Sequence, residues 1–160
     1  MRGALWRLLF TPFVGNYKVF RIEIVAAEGQ SISVTILIAD DFAVWRSKVR
    51  KMVDHSADIV GEACDGLEAV EKAAQLQPAI VLMDISMPRM NGLDAAKLIR
   101  QSLRSTAIVF VSENNDPNIR HAALSVGHAF VLKRDAKKEL LPAIQSAQAA
   151  AGSDRDSPSS

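Results

Sequence analysis

Five side chains stand where an apolar run stops. Asp40 and Asp41 follow the run 34–39, Asp84 follows 79–83, Ser112 follows 107–111 and Lys133 follows 129–132. Three carboxylates, a hydroxyl and an ammonium are the parts of a site for a cation and a phosphoryl group. Carboxylates crowded together repel, and at least one stays protonated unless a cation compensates. Hard oxygen ligands that leave room for waters suit Mg²⁺. A fixed ammonium and a hydroxyl then cradle a phosphoryl group, whose transfer rests on positioning and charge neutralisation. A carboxylate can itself accept that group, and Asp84 is the best placed of the three.

For these groups to meet, the runs that precede them must be neighbouring strands. Ala79-Ile80-Val81-Leu82-Met83 is apolar at every position, not at every second one. Such a strand is buried on both faces, as in a parallel sheet covered by helices. Pro88, Asn91 and Gly92 then supply turn chemistry. Asp84 should therefore face the crevice at the carboxyl end of a central strand, where open α/β sheets bind ligands. Further strands are read at 34–39, 59–64, 107–111 and 129–132.

Helical spacing fills the gaps between them. The first helix runs from Phe42 to about His55, with Val44, Val49, Met52 and Val53 as its apolar positions and Arg46, Lys48, Arg50 and Lys51 decorating its exposed face. The second covers 66–76 behind Asp65 as N-cap. The third covers 91–103 with Leu93, Ala96, Leu98 and Ile99 as its apolar positions. Asp116-Pro117 opens the fourth, and Gly127 should stop it as a left-handed cap. The last covers 135–151 and turns Leu140, Leu141, Ile144 and Ala147 to one face; Pro142 in its first turns argues for a slightly later start. Five strands alternating with five helices imply one doubly wound parallel sheet whose strand ends share a rim.

Bulk properties narrow the partners. A chain of 160 residues suits one domain with ends to spare. A net charge of +1 gives no basic field for nucleic acid. Cys64 is the single cysteine, which excludes an internal disulfide and fits a reducing cytosol; lying in an apolar run, it reads as a buried, inert thiol. His55, His121 and His128 have no ligand spacing. The uncharged run 8–17 is far shorter than the ~20 residues of a membrane span. Trp6, Phe10, Phe13, Arg2 and Arg7 are the types found in a membrane-surface segment, but residues 1–31 read more plainly as a loosely ordered extension or a mis-started sequence. Residues 152–160 have the composition of a disordered tail.

Each polar tip alone is ordinary: an acid pair caps helices, and a lysine after a strand is usually solvated. In combination they carry a resemblance. Residues 33 to about 150 resemble the receiver domain of two-component response regulators. The motifs are Ile38-Ala39-Asp40-Asp41, Leu82-Met83-Asp84-Ile85-Ser86-Met87-Pro88-Arg89-Met90-Asn91-Gly92, Val111-Ser112 and Phe130-Val131-Leu132-Lys133. The likeness is nearest to receivers of regulators with a helix-turn-helix output domain. It implies a flavodoxin-like fold over 32–151, with strand order 2-1-3-4-5 and helices on both faces. It also implies that Asp84 is the phosphoacceptor. Asp41, Asp84 and the main-chain carbonyl of Ser86 would hold Mg²⁺, with Asp40 acting mainly through water. Ser112 would take a phosphoryl oxygen, Lys133 would pair with the phosphate, and Phe130 would turn inward as an aromatic switch.

Three positions depart from the family pattern. Glu113 stands where a small residue is usual, His128 where alanine is common, and Arg134 where many members have proline. The expectation is a stand-alone cytoplasmic receiver phosphorylated by a sensor histidine kinase or phosphotransfer protein. It would switch the binding of an unknown downstream protein, through the fourth helix, fifth strand and fifth helix, and form a homodimer when phosphorylated. No direct nucleic-acid binding, membrane span or metabolic activity is expected. The alternatives are a phosphorylation-independent interaction module and a truncated fragment of a DNA-binding transcription regulator. A haloacid-dehalogenase-like phosphatase wants a second acid two residues after the nucleophile, where Ser86 stands. A flavodoxin-like cofactor binder wants a phosphate-cradling loop after the first strand, which is absent here.

Overall fold

The computed structural model describes residues 34–153. In chain order the elements are β1 (Val34–Ala39), α1 (Ala43–Val53), β2 (Ala57–Ala63), α2 (Gly66–Leu76), β3 (Ile80–Met83), α3 (Gly92–Ser102), β4 (Ala107–Ser112), α4 (Pro117–Val126), β5 (Ala129–Leu132) and α5 (Ala136–Ser153), with a 3-10 turn at Lys133–Asp135 before α5. The expectations for residues 1–31 and 154–160 lie outside the described residues. The backbone of residues 152 and 153, assigned to the tail on composition, continues α5, as the alanine run 149–151 favours.

The five strands form one parallel sheet in the order β2-β1-β3-β4-β5. All four residues of β3 are at most 2 % exposed, which fits the central strand of a sheet covered on both sides. Register aligns Ala39, Met83, Phe110 and Phe130 in one row across β1, β3, β4 and β5. Side chains of alternate rows face opposite ways, and the two helical layers follow from that. One core holds Leu37, Val81, Met83, Ile108, Phe110 and Phe130 against alanines and isoleucine of α2, α3 and α4. The other holds Ile36, Ile38, Leu82, Val109, Val111 and Val131 against Trp45, Val49 and Val53 of α1 and Leu140, Ile144 and Ala147 of α5.

Asp65 and Asp116 cap α2 and α4 through their side chains as the sequence predicts, with Pro117 at the first helical position, and Asn91, read as the first residue of the third helix, caps α3 in the same way. Four details differ. The buried face of α1 is Trp45, Val49 and Val53, a strict i, i+4, i+8 stripe, and Val44 one position earlier is 66 % exposed. In α3, Ala95, Ala96 and Ile99 go inward and Leu98 points to solvent. Gly127 is extended rather than left-handed. It is needed for space, since a Cβ there would lie 2.7 Å from the Phe110 ring. Pro142 sits inside α5, which begins at Ala136 despite it.

A second glycine is fixed by close approach beside the rim. A Cβ on Gly92 would lie 1.9 Å from the carbonyl oxygen of Asp84. That obstacle is backbone and cannot rotate away. Gly92→Ala is expected to cost about 3 kcal/mol, the upper part of the overpacking range, in urea unfolding. An unchanged urea midpoint would show that the turn after β3 yields freely.

Candidate functional site

The ladder between strands continues one residue past their ends. The Asp84 N–H donates to the Ala39 carbonyl at 2.8 Å, and the Asp40 N–H to the Ala63 carbonyl at 3.0 Å. Because Ala39 is in register with Met83, Asp40 and Asp84 stand side by side on the rim. Their carboxylates and that of Asp41 approach within 4.8 Å of one another. Asp40 and Asp84 are buried, and Asp41 is exposed.

Lys133 reaches this pair from the turn after β5. Its Nζ lies 2.6 Å from Asp40 Oδ2 and 3.3 Å from Asp84 Oδ2. Both contacts are ion pairs, and the second is also a hydrogen bond donated by Lys133. Burial pulls the ammonium toward its neutral form, but Asp40 and Asp84 outweigh that and raise its pKa. The remaining oxygens have backbone donors: Ile85 N–H to Asp84 Oδ1 at 2.8 Å and Phe42 N–H to Asp40 Oδ1 at 2.9 Å.

Burial dominates at Asp84. It lifts the carboxyl from 3.8 to about 6, with Lys133 opposing the rise and Asp40 adding to it. A site whose buried carboxyl resists ionisation beside two further acids is short of positive charge. That is the electrostatic condition for a divalent cation, and the all-oxygen donor set suits Mg²⁺.

Asp41 and Asp84 open onto a cleft of about 280 Å³ also lined by Ser86, Ser112, Glu113 and Lys133. Ser112 is buried, and its Oγ accepts the Asn114 N–H at 3.1 Å, which leaves its hydroxyl proton free to donate. Asp40, Asp41, Asp84, Ser86, Ser112 and Lys133 thus all gather on one rim. Phe130 is not at the cleft. It is 6 % exposed, packed in the layer of α2, α3 and α4, with the Arg120 guanidinium 5.1 Å from its ring centre. A larger cavity of about 470 Å³, lined by Gln77, Arg104 and Thr106, lies at the opposite ends of the strands, away from these acids.

Several partners are not legible in the sequence. Arg46, which reads there as surface decoration, donates to the Asp40 carbonyl at 2.7 Å and pairs with Glu62 at 2.9 Å, so it clamps the start of α1 to β2. Arg89, in a left-handed conformation (φ 62°) in the turn after Asp84, pairs with the capping Asp65 at 3.0 Å. Cys64 is exposed rather than buried, because β2 stops at Ala63 and the thiol falls in the loop beyond it. A hydrogen bond to Glu68 pushes that thiol up. His128 is held in the fold: its Nδ1 accepts the Ile108 N–H at 3.0 Å and its Nε2 lies 2.7 Å from Arg100 Nη1.

The family model described as the response regulator receiver domain matches residues 36–145. The nitrate/nitrite response regulator protein NarL of Escherichia coli is 36 % identical over 121 residues, covering 74 % of this chain and 55 % of NarL. The response regulator domain of Thermotoga maritima CheB superposes with a TM-score of 0.67 at 34 % identity, covering 73 % of this chain and 97 % of that one. A Borrelia burgdorferi CheY, solved as a CheX-CheY-BeF3-Mg²⁺ complex, gives a TM-score of 0.67 at 25 % identity over 72 % of this chain and 90 % of that one. The chain spans about half the length of the first curated relatives it matches, 55 % of NarL and 54 % of the Mycobacterium tuberculosis transcriptional regulatory protein PdtaR. Among the described residues no helix is long and apolar enough to cross a membrane.

Proposed function

The chain belongs to the response regulator receiver family, and from that premise we propose that it is a phosphorylation-dependent switch whose acceptor is Asp84. The observation that carries this reading is the convergence of Asp40, Asp41, Asp84 and Lys133 from three strand ends, with the ammonium 2.6 and 3.3 Å from two buried carboxylates. The phosphodonor is a sensor histidine kinase or a phosphotransfer protein, and the compartment is the cytoplasm.

In the proposed reaction an Asp84 carboxylate oxygen forms a bond to phosphorus as the bond from phosphorus to the donor's nitrogen or oxygen breaks. The electron pair leaves with the donor. Asp41, Asp84 and the main-chain carbonyl of Ser86 would hold Mg²⁺, with Asp40 reaching it through water. When bound, the ion offsets charge on the phosphoryl oxygens. Lys133 supplies a second positive charge that is already in place, so no reorganisation is needed as charge shifts onto the phosphoryl oxygens. Ser112 donates its hydroxyl to one of those oxygens. Phe130 follows Ser112 as the aromatic element of the switch, and the output is altered binding of a downstream protein or of a second copy. The BeF3 and Mg²⁺ of the Borrelia CheY complex support the ion and the anion site by analogy. On this reading the chain acts on itself and is not an enzyme with a separate substrate.

The test is incubation with acetyl phosphate, with Mg²⁺ or with EDTA, followed by borohydride reduction and peptide mass spectrometry. A label on Asp84 that needs Mg²⁺ is expected. A label on another residue, or none with Mg²⁺ present, would remove the proposal and leave a phosphorylation-independent module.

One observation favours a second reading of the chain's extent. Relatives such as NarL and PdtaR are about twice as long as the matched segment, which supports the receiver part of a longer transcription regulator against a stand-alone receiver. The reading frame around the gene distinguishes the two.

A further inference from the structure

Trp45 occupies the first turn of α1, where family membership assigns no chemistry. It is 8 % exposed and belongs to the core between the sheet, α1 and α5. Two cations flank its indole: Lys133 Nζ is 5.4 Å from the ring centre and Lys48 Nζ is 5.0 Å from it. The face of an indole carries negative charge density and attracts a cation more strongly where water is excluded. Lys133 meets that condition, being 9 % exposed, whereas Lys48 is exposed.

Lys133 therefore has three attractors: Asp40, Asp84 and the ring. The ring and Asp40 keep their charge distribution through the proposed reaction, whereas Asp84 changes when it is esterified. Arg46, next along α1, holds the Asp40 carbonyl, so the same helical turn fixes both the acid and the ring against the ammonium. We propose that Trp45 is a positioning residue, whose indole face holds the Lys133 ammonium at the rim and thereby raises the rate at which Asp84 takes up a phosphoryl group. This rests on the phosphoacceptor reading above. With acetyl phosphate the balance is simple: the bond from Asp84 oxygen to phosphorus forms, the bond from acetyl oxygen to phosphorus breaks, and acetate leaves with the electron pair.

A core tryptophan would also lower stability when truncated, so the test must alter the ring's charge and not its shape. In a Trp6→Phe background Trp45 is the only tryptophan, and fluorinated tryptophans withdraw electron density from its face in steps. At fixed Mg²⁺ and pH, the maximal labelling rate with acetyl phosphate should fall with each fluorine, to about fivefold to thirtyfold below the parent. The half-saturating acetyl phosphate concentration should stay constant. Trp45→Leu should match the most fluorinated protein, and Trp45→Phe should recover part of the rate.

Urea unfolding gives a readout independent of labelling. Fluorination should lower the midpoint in the parent and in Lys48→Met, and leave it unchanged in Lys133→Met. A labelling rate flat across the series would overturn the proposal. So would a fluorine effect on stability that vanishes in Lys48→Met and persists in Lys133→Met. If the parent protein takes no label at all, the phosphoacceptor reading fails by itself, and the unfolding arm still decides whether the ring holds Lys133.

Discussion

Asparagine at position 84 is expected to give a protein that takes no label from acetyl phosphate and yet resists urea better than the parent. The two effects have one cause. Burial raises the Asp84 carboxyl from 3.8 to about 6 against the pull of Lys133, so the native state binds a proton more tightly than the unfolded chain does. Stability from such a group is complete below 3.8 and is lost as pH rises through about 6. At pH 7 the loss from this carboxyl is about 3 kcal/mol, since each pH unit between the folded and unfolded values is worth about 1.36 kcal/mol. Asparagine never ionises and escapes that loss, but its amide replaces the protonated carboxyl imperfectly in a packed site. A net gain of about 1–2 kcal/mol at pH 7 in EDTA follows from the two together.

The comparison has internal controls. At pH 5 the parent's carboxyl is largely protonated, so the advantage of the variant should shrink. Added Mg²⁺ should stabilise the parent by mass action and leave Asp84→Asn unmoved. Equal or lower urea resistance of the variant at pH 7 would mean that Asp84 is not held against its charge. An Mg²⁺ response that survives the substitution would place the ion elsewhere.

Among variants that keep the acceptor, removal of Lys133 should have the largest effect on rate. Lys133→Ala is expected to slow labelling by about 10²–10³-fold, the usual consequence of deleting a preorganised charge-stabilising group. Its effect on stability turns on which of two responses is cheaper. Orphaning a buried charge costs about 3–5 kcal/mol if the charge remains. Asp84, however, already lies near 6, and Lys133 is what opposes a further rise, so in the variant the carboxyl moves higher still. At pH 6 it takes up a proton and the cost is small. Above about pH 7, stability should fall with pH at up to about 1.4 kcal/mol per pH unit, where the parent's contribution from the same group has levelled off. Urea titrations at several pH values between 6 and 9 distinguish these responses. A labelling rate like that of the parent would separate Lys133 from the phosphoryl site, and a pH-independent loss would mean that its removal leaves no carboxylate unpaired.

The rim is readable from the chain because its signals are one-dimensional. A strand that is apolar at every position and then stops on a carboxylate fixes both burial and direction, so Asp84, Ser112 and Lys133 can be placed from the residues alone. The layer structure follows from alternation of strands and helices. What escapes the sequence depends on angle and distance in space. Val44 and Trp45 differ by one step of about 100° around α1, and both are apolar, so composition does not say which one faces the sheet. Arg46 reads as one more charge in a basic run. Only the register of β1 with β2 shows that Glu62 and the Asp40 carbonyl are within its reach. Gly127 has the residue type of a helix cap, but its reason is the ring of Phe110 pressed against it. Cys64 misleads because an apolar run does not reveal which of its last residues still pairs.

Alternation along the strands gives the rim a division of labour. Asp40 and Asp84 continue the rows that face α1 and α5, the layer that holds Trp45. Ser112, two residues beyond Phe110 on the same strand, continues a row that faces α2, α3 and α4. One small guest in the cleft would therefore touch a lysine backed by one set of helices and a hydroxyl backed by the other. Tightening on the first side need not disturb the second, so how firmly the guest is gripped and how loudly its arrival is announced can be tuned by separate substitutions.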